Sequence, residues 1–421
     1  MKSICVMGLG YIGLPTASVF AANGFQVLGV DVSRDVVDTI NAGNIHIEEP
    51  GLHTLVRAAT QSGNLRAALS PHKADVFILA VPTPLDPDAK KADMHFVRES
   101  AEAIVPYLER GNLVILESTS PPGTSRNLVA PILETSGLKV GPDLHLAHCP
   151  ERVLPGRILT ELIQNDRVIG GYDELSAQKA RDLYATFVEG EIFLTEVTTA
   201  EMVKIIENTF RDVNIALANE TALLCERFGI DFWEVARLAN RHPRVNMHRA
   251  GPGVGGHCIS VDPWFLVEQA PETAELIHTA RRRNDGMPAH VVRRTMEIMA
   301  GVGEPKVAAL GLAFKGNVDD MRGTPSLPVI EGLRAEGATV AAHDPHVKKA
   351  PFELANLEAC FTDADCVLLL TDHNDYKYID PRQVARLVRT PRLFDTRNFL
   401  EHEAWREAGF AVNVLGLGPV Q

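Results

Sequence analysis

The chain has 421 residues, which is too long for one ordinary domain and predicts two or three. Hydrophobic residues make up 45% and charged residues 23%, the balance of a soluble globular protein with sizeable cores. The net charge of −13 argues against a general nucleic-acid-binding protein, which normally carries a basic face, although a locally positive pocket can still hold an anionic substrate.

The N-terminal part of the chain alternates apolar strands with helices. The predicted strands are SICVMGL, FQVLGVD, ADVFILAVPT, NLVILESTS and LHLAHCPER. Helices are predicted over about 14–23 and in FVRESAEAIVPYL. Because strands that are almost continuously apolar are buried on both faces, this alternation predicts a parallel sheet covered by helices on both sides.

The pattern changes at Thr198, where a long helical segment runs without proline or glycine to Gly229 and a second helix follows in FWEVARLAN. We expect this segment to act as a spine and as a surface for self-association. After Pro305 the α/β pattern returns in KVAALGLAF, SLPVIEGLRAEG and TVAAHDP, and DADCVLLLTDH resembles the earlier KADVFILAVPT. The prediction is an α/β protein with two Rossmann-like, doubly wound parallel-sheet domains, 1–197 and 301–421, joined by a central long-helix region, 198–300.

The motif GLGYIG places Gly8, Gly10 and Gly13 between the first strand and its helix. There Gly8 and Gly10 allow a tight turn and the approach of a pyrophosphate to the helix N-terminus, and Gly13 allows the helix to pack on the strand. Asp31 ends the second strand, where a carboxylate accepts a hydrogen bond from a ribose 2′-hydroxyl and repels a 2′-phosphate. The pattern favours NAD over NADP, although Arg34 lies nearby, and a glycine turn without a ligand is the alternative.

Other polar residues have a structural explanation as well as a functional one. Thr83 in VPTPLD and Thr119 in ESTSPPGT follow predicted strands at the edge of the sheet where ligands bind, but threonine and proline are also common in turns. Lys204 and Asn208 are four residues apart and share one face of the long helix with Arg211, a row that is equally typical of a solvated face.

The segment GVGGHCISVDPW contains the strongest candidate for a nucleophile. Cys258 follows His257 in a backbone bared by glycines, an arrangement that exposes a thiol and lowers its pKa. Asp262 lies one turn away if the segment is helical, close enough to act as a base or to hold a water. A small buried thiol is the alternative. Cys149, next to a histidine and close to Glu151, ranks second because it lacks the glycines.

The remaining cysteines lie in apolar runs typical of buried thiols, and they are Cys5, Cys225, Cys360 and Cys366. Their scattered spacing predicts reduced thiols in a cytoplasmic protein. We find no N-terminal leader and no apolar run long enough to span a bilayer, so no membrane partner is expected. No metal is expected either, because the nearest ligand-like spacing, HDPH at 343–346, is better explained as a turn.

These motifs together resemble the UDP-sugar 6-dehydrogenases of the UDP-glucose/GDP-mannose dehydrogenase family. The resemblance rests on GLGYIG with Asp31, VPTP, STSPPGT, CPER, the helix with Lys204 and Asn208, GVGGHC with Asp262, and FKGNVDDMRGTPS. The motifs occur in the family's order over nearly the whole chain. The resemblance implies an N-terminal NAD-binding domain, a central dimerisation and catalytic region, and a C-terminal UDP-sugar-binding domain.

The resemblance also implies a four-electron oxidation of the sugar C6 alcohol to a carboxylate, with two NAD reduced per sugar. Cys258 would attack the C6 aldehyde, and the thiohemiacetal would be oxidised to a thioester that water hydrolyses. Asp262 and Glu151 would handle protons or water, and Thr119 would hold that water. Lys204 and Asn208 would stabilise the oxyanion at C6.

The resemblance further implies two sets of binding residues. The cofactor residues are Gly8, Gly10, Tyr11, Ile12, Gly13, Asp31, Arg34, Thr83, Thr119 and, from the C-terminal domain, Arg322. The substrate residues are Glu151, Arg152, Val153, Lys204, Asn208, Arg211, His242, Arg244, Gly255 and Lys315. Lys315 would contact the UDP, Gly255 would leave room for it, and Arg244 would reach the neighbouring site in a homodimer.

Departures from the UDP-glucose branch cluster around the sugar. Pro155 replaces a second glutamate, Val261 replaces a lysine before the matching acid, and His257 replaces a serine before the cysteine. These changes favour an N-acetylated hexosamine, and the expected substrate is UDP-N-acetyl-D-mannosamine, oxidised for surface polysaccharide synthesis. UDP-N-acetyl-D-glucosamine and then UDP-glucose are the alternatives, and a nucleotide-binding protein without catalysis is the alternative of a different class.

Overall fold

The computed structural model describes residues 2–418, and the chain forms two compact units. Unit 1 comprises Met1–Glu207 with Trp264–Gln269, and unit 2 comprises Asn208–Pro263 with Ala270–Gln421. Each unit holds one largely or wholly parallel sheet with helices on both faces, which confirms the predicted pair of α/β halves. The division into three domains stays a prediction.

The sheet of unit 1 has eight strands in the order β3-β2-β1-β4-β5-β6-β7-β8. The strands are β1 (Ser3–Met7), β2 (Gln26–Val30), β3 (Leu65–Ala68), β4 (Val76–Leu79), β5 (Leu113–Leu116), β6 (His145–His148), β7 (Arg167–Gly171) and β8 (Ile192–Glu196). The helices are α1 (Gly13–Ala22), α2 (Arg34–Asn41), α3 (Leu52–Gln61), α4 (His95–Ile104), α5 (Ala130–Glu134), α6 (Ile158–Gln164) and α7 (Glu174–Tyr184). A 3₁₀ turn spans Val105–Tyr107, and a π-helical turn, Ser125–Val129, leads into α5.

Alternation along β1 shows why this sheet is covered on both sides. Ile4 and Val6 point into one apolar core, whereas Cys5 and Met7 point into the other. The expectation of a parallel sheet is wrong at one pair of strands, because β7 runs antiparallel to β6. The segment between them stays at the edge where β6 ends, so the chain re-enters the sheet in the opposite direction.

Unit 2 holds a five-stranded parallel sheet in the order β10-β9-β11-β12-β13. Its strands are β9 (Lys306–Leu310), β10 (Thr339–His343), β11 (Cys366–Leu369), β12 (Arg392–Asp395) and β13 (Ala411–Val414). The helices within it are α9 (Phe232–Ala239), α11 (Glu275–Asp285), α12 (Met287–Ile298), α13 (Ser326–Ala335), α14 (Leu357–Phe361), α15 (Pro381–Val384) and α16 (His402–Glu407), with a 3₁₀ turn at Asn374–Tyr378. Val307 and Ala309 face one core, and Ala308 and Leu310 face the other.

Two helices contribute residues to both units: the long α8 (Val197–Phe228) and the short α10 (Asp262–Gln269). The predicted long helix from Thr198 to the residue before Gly229 is therefore present almost to the residue. Among residues 2–418, no helix combines the length and the apolar character that crossing a membrane requires.

Candidate active site

The GLGYIG loop lies at the carboxyl edge of the unit 1 sheet, where the strand order reverses between β1 and β4. Gly8 has a φ of +90°, and a Cβ there would lie 2.6 Å from the carbonyl oxygen of Ala80. A Cβ on Gly13 would lie 1.8 Å from the carbonyl oxygen of Gly8, so only glycine fits. By contrast, a Cβ on Gly10 would meet no protein atom within 4 Å. The chain's own packing does not require that glycine, which leaves an open face suited to a close ligand.

Asp31 links the end of β2 to this loop. Its Oδ2 accepts a hydrogen bond from the amide of Leu9 at 3.1 Å, and its Oδ1 accepts one from the amide of Ser33 at 2.9 Å. The carboxylate is partly exposed, so it keeps accepting capacity for a ribose hydroxyl. Arg34 is exposed at the start of α2, and Tyr11 is exposed in the loop, whereas Ile12 is half-buried.

Thr83 and Thr119 follow the adjacent strands β4 and β5, and both are partly exposed. The hydroxyl of Ser118 donates to the carbonyl of Val81 at 2.7 Å and so ties the two loops together. The structure therefore brings the glycine loop, Asp31 and both threonines to one edge of one sheet.

Glu151 is a buried carboxylate just beyond β6. Its Oε2 accepts from Nη2 of Arg167 at 2.9 Å, and the two side chains are only 6% and 5% exposed. Its Oε1 accepts from the amide of Arg152 at 2.7 Å. The guanidinium of Arg152 donates to Glu207 at 2.7 Å and to the carbonyl of Asp166. Val153 packs against the apolar core.

Cys149 and Lys204 lie in the same unit but in different surroundings. Cys149 is fully buried, and burial raises its pKa to about 12, so it remains a protonated thiol at neutral pH and a poor nucleophile. Lys204 is half-buried on α8. Its positive charge adds to the larger effect of burial, and together they lower the pKa of His148 to about 3.

In unit 2, the glycines before Cys258 are needed for packing. A Cβ on Gly255 would lie 2.7 Å from the Cβ of Phe314 and 2.8 Å from the carbonyl oxygen of Gly323. Gly256 has a φ of +90°, and a Cβ there would lie 3.1 Å from the ring of Phe314. Side chains of the same unit, Phe314 and Pro325, thus come close to this bare backbone, and contact of Gly255 with a substrate stays a prediction.

Cys258 is exposed and lies one turn before α10. Its carbonyl accepts from the amide of Asp262 at 2.9 Å, as the predicted one-turn spacing requires. The Asp262 carboxylate accepts from Nδ2 of Asn208 at 2.6 Å, and both residues are buried. Partial burial, reinforced by the charge of Arg322, lowers the pKa of His257. His257 is therefore neutral at pH 7 and does not supply the positive charge that its place beside the thiol suggests.

The other predicted residues of unit 2 are mostly exposed: Arg211, His242, Arg244 and Lys315. Arg322 makes a bidentate ion pair with Asp320, at 2.9 and 2.6 Å, and its carbonyl accepts from the amide of Gly256 at 3.0 Å. The loop with Arg322 and the loop with Cys258 therefore contact each other. In the part of the chain that the structure describes, no group of histidine, cysteine, aspartate or glutamate side chains has the arrangement of a metal site.

The sequence patterns did not single out several buried polar residues near these sites. Glu201, on the first turns of α8, accepts from the amides of Gly123 and Ser125 at 2.5 and 2.7 Å and so holds the loop that follows Thr119. Arg167 is the first residue of a buried strand. A charged residue in an apolar strand needs a partner, and this is the one feature of the sequence that could have indicated the ion pair.

Unit 1 thus carries a dinucleotide-type glycine loop with a partly exposed aspartate at the end of β2, and unit 2 carries an exposed thiol in the same segment as the aspartate of a buried Asn–Asp pair. These features define a nucleotide-dependent oxidoreductase. Models of the UDP-glucose/GDP-mannose dehydrogenase family match the chain in three parts: the NAD binding domain at 2–188, the central domain at 198–286 and the UDP binding domain at 308–402. The chain belongs to this family and is an NAD-dependent dehydrogenase.

Sequence similarity to known proteins extends over almost the entire chain. A UDP-N-acetyl-D-mannosamine dehydrogenase of Methanococcus maripaludis is 47% identical over 99% of this chain and 98% of the relative. An NDP-N-acetyl-D-galactosaminuronic acid dehydrogenase of Ralstonia solanacearum is 46% identical over 94% of this chain and 96% of the relative. The solved structure of a UDP-D-ManNAc dehydrogenase from Pyrococcus horikoshii is 41% identical, covers 100% of both chains and has a TM-score of 0.92.

Proposed function

We propose that this chain oxidises UDP-N-acetyl-D-mannosamine at C6 to UDP-N-acetyl-D-mannosaminuronate. Identity of 47% to a UDP-N-acetyl-D-mannosamine dehydrogenase over nearly the whole chain is the observation that carries the proposal. The competing substrate is an NDP-N-acetyl-D-galactosamine sugar, because a relative named for the galactosaminuronic acid is almost as similar, at 46%. UDP-N-acetyl-D-glucosamine and UDP-glucose remain weaker alternatives.

The glycine loop of unit 1 fits NAD. Gly10 offers an open face on which a Cβ would meet nothing, and Asp31 is partly exposed at the end of β2. These two residues would hold the pyrophosphate and the ribose, with Thr83 and Thr119 at the same edge of the sheet. When bound, NAD supplies the hydride acceptor for both oxidations, at two molecules per sugar.

The chain's own residues carry the covalent steps in this proposal. The thiolate of Cys258 attacks the C6 aldehyde, and the new S–C6 bond gives a thiohemiacetal whose oxyanion Lys204 and Asn208 stabilise. Loss of hydride from C6 converts the thiohemiacetal to a thioester. Water, activated by Asp262 or Glu151, then attacks C6, the C–S bond breaks, and the carboxylate leaves as the thiol is regenerated.

Counting NADH per sugar tests this proposal. The purified protein would be given NAD and, separately, the UDP derivatives of N-acetylmannosamine, N-acetylgalactosamine, N-acetylglucosamine and glucose. Two NADH per sugar with the mannosamine compound alone is the expected result, whereas two with another sugar would overturn the substrate. Cys258→Ser is expected to abolish full oxidation and keep binding of the nucleotide sugar, and Cys225→Ala, at a buried thiol of α8, serves as the matched control.

A homodimer and a cytoplasmic location complete the proposal, with a product destined for surface polysaccharide. The dimer is supported by an apolar stripe on the unit 2 part of α8, whose members are Phe210, Leu217, Leu224 and Phe228, 64%, 55%, 45% and 66% exposed. Their spacing of seven, seven and four residues keeps them on one face of the helix. Arg244 is exposed and is proposed to reach the neighbouring subunit's site.

A further inference from the structure

A cluster of ionisable side chains lies buried behind Glu151 in unit 1. Arg167 donates from Nη2 to Glu151 and from Nη1 to the sulfur of Cys149 at 3.6 Å. The hydroxyl of Tyr184 donates to Oε1 of Glu117 at 2.5 Å, and the guanidinium of Arg167 lies over the Tyr184 ring, 4.7 Å from its centroid. All five side chains are at least nine-tenths buried. A protein retains so many buried polar groups only if their mutual contacts offset the loss of hydration.

We propose that Arg167, together with the Glu117–Tyr184 pair behind it, positions Glu151 as an oriented carboxylate for the reaction. This inference rests on the proposed catalytic role of Glu151. The guanidinium of Arg167 donates to Glu151 from Nη2. Its Nη1 donates to Cys149 and its flat face lies over the Tyr184 ring, and these two contacts fix the plane of the guanidinium. Glu151 is thereby held at both carboxylate oxygens, by Arg167 and by the amide of Arg152.

The charge balance makes Glu117 the variable member of the cluster. One guanidinium faces two carboxyl groups, so both cannot be fully compensated at once. Burial, followed by the charge of Glu151, raises the pKa of Glu117 from 4.5 to about 7, while Arg167 and the hydroxyl of Tyr184 act in the opposite direction. Below that pH, Glu117 is neutral, and the positive charge of Arg167 compensates Glu151 alone. Above it, Glu117 competes for the same positive charge and weakens the hold on Glu151.

The test is the pH profile of the rate of NADH formation at saturating substrate in the full-length protein. Wild type is expected to show an inflection near pH 7 that Glu117→Gln lacks. Tyr184→Phe is expected to move the inflection to higher pH, because it removes a hydrogen bond that lowers the pKa of Glu117. The control is Glu201→Gln, a buried carboxyl that accepts from the amides of Gly123 and Ser125; whatever its rate, it keeps the inflection.

A second readout does not depend on turnover. The infrared band of a buried, protonated carboxyl should titrate near pH 7 in wild type and be missing in Glu117→Gln. An active enzyme whose inflection persists in Glu117→Gln, or a wild type without that titrating band, would overturn the inference. A protein that shows the band but oxidises none of the sugars would instead contradict the proposed function and leave the buried proton at Glu117 in place.

Discussion

Gly10 offers the sharpest test of the coenzyme loop, because its side-chain position faces open space. A Cβ there meets no protein atom within 4 Å, so Gly10→Ala introduces no clash. At such a site Gly→Ala is neutral or stabilises by up to about 1 kcal/mol, through the unfolded chain. If a pyrophosphate approaches this backbone, the added methyl group costs about 1–3 kcal/mol of binding, or about 5- to 150-fold in the dissociation constant of NAD.

The assay pairs calorimetric titration with NAD and thermal unfolding of the same samples. Gly10→Ala should unfold at or above the wild-type temperature and bind NAD more weakly. Gly303→Ala, in unit 2, also meets no atom within 4 Å, so it should likewise unfold at or above the wild-type temperature but leave the affinity for NAD unchanged. Gly13→Ala should unfold at a lower temperature and bind NAD more weakly, since its Cβ would lie 1.8 Å from a backbone oxygen. Wild-type affinity for NAD in Gly10→Ala would refute the assignment of this loop to the pyrophosphate.

Three further outcomes are expected. Burial and the charge of Glu151 raise the pKa of Glu117 from 4.5 to about 7, so between these pH values the native state holds a proton that the unfolded state has lost. The free energy of unfolding therefore falls by about 3 kcal/mol as pH rises through this range. Urea unfolding at pH 5 and pH 8 should show this loss in wild type and not in Glu117→Gln. Leu217→Glu should shift the protein towards monomer in analytical ultracentrifugation, whereas Leu276→Glu, at a leucine that is 69% exposed on α11, should not. Asp344→Asn should lower the free energy of unfolding by about 3 kcal/mol, because it breaks a buried set of charge-assisted hydrogen bonds; an unchanged denaturant midpoint would contradict that account.

The strands that were predicted are those with a continuous apolar run, such as VFIL in β4 and LVIL in β5, which are buried at every residue. Three strands of unit 1 were missed for physical reasons. β3 alternates buried and accessible residues over only four positions. β8 is an edge strand whose Phe193 and Leu194 are both exposed, so no burial pattern marks it. The third missed strand is β7, which runs antiparallel to β6. Its direction depends on the sheet edge to which the chain returns, and the local sequence does not encode that edge.

The same contrast holds at the candidate site. The exposure of Cys258 and its one-turn spacing to Asp262 follow from neighbouring residues, so the local pattern was sufficient to predict them. The pairing of Glu151 with Arg167 joins residues that are 16 positions apart, and that of Glu117 with Tyr184 joins residues 67 apart. Such pairs exist only because strands and helices bring them together, and a single sequence does not reveal their register.

The two sheets repeat one loop geometry. Gly8 after β1 and Gly311 after β9 have φ values of +90° and +92°, and their amides donate to Val30 and His343 at 2.8 and 2.9 Å. The aspartate that ends the second strand also repeats. Asp31 accepts from the amide of Leu9 at 3.1 Å, and Asp344 accepts from the amide of Leu312 at 2.6 Å.

The repeated aspartates nevertheless differ in what remains available to a ligand. Asp31 is partly exposed and accepts from the amides of Leu9 and Ser33, whereas the Asp344 side chain is 0% exposed and accepts from five donors. Those donors are the amides of Leu312, Ala313, His346 and Val347 and Nε2 of His373. A carboxylate offers about four lone-pair positions, so Asp344 has no capacity left for a ribose hydroxyl. The longer loop after Gly311 instead packs Phe314 and Arg322 against the segment that bears Cys258. The same α/β loop geometry therefore leaves the sheet edge open for the coenzyme in unit 1, whereas in unit 2 it supports the segment that bears the Cys258 thiol.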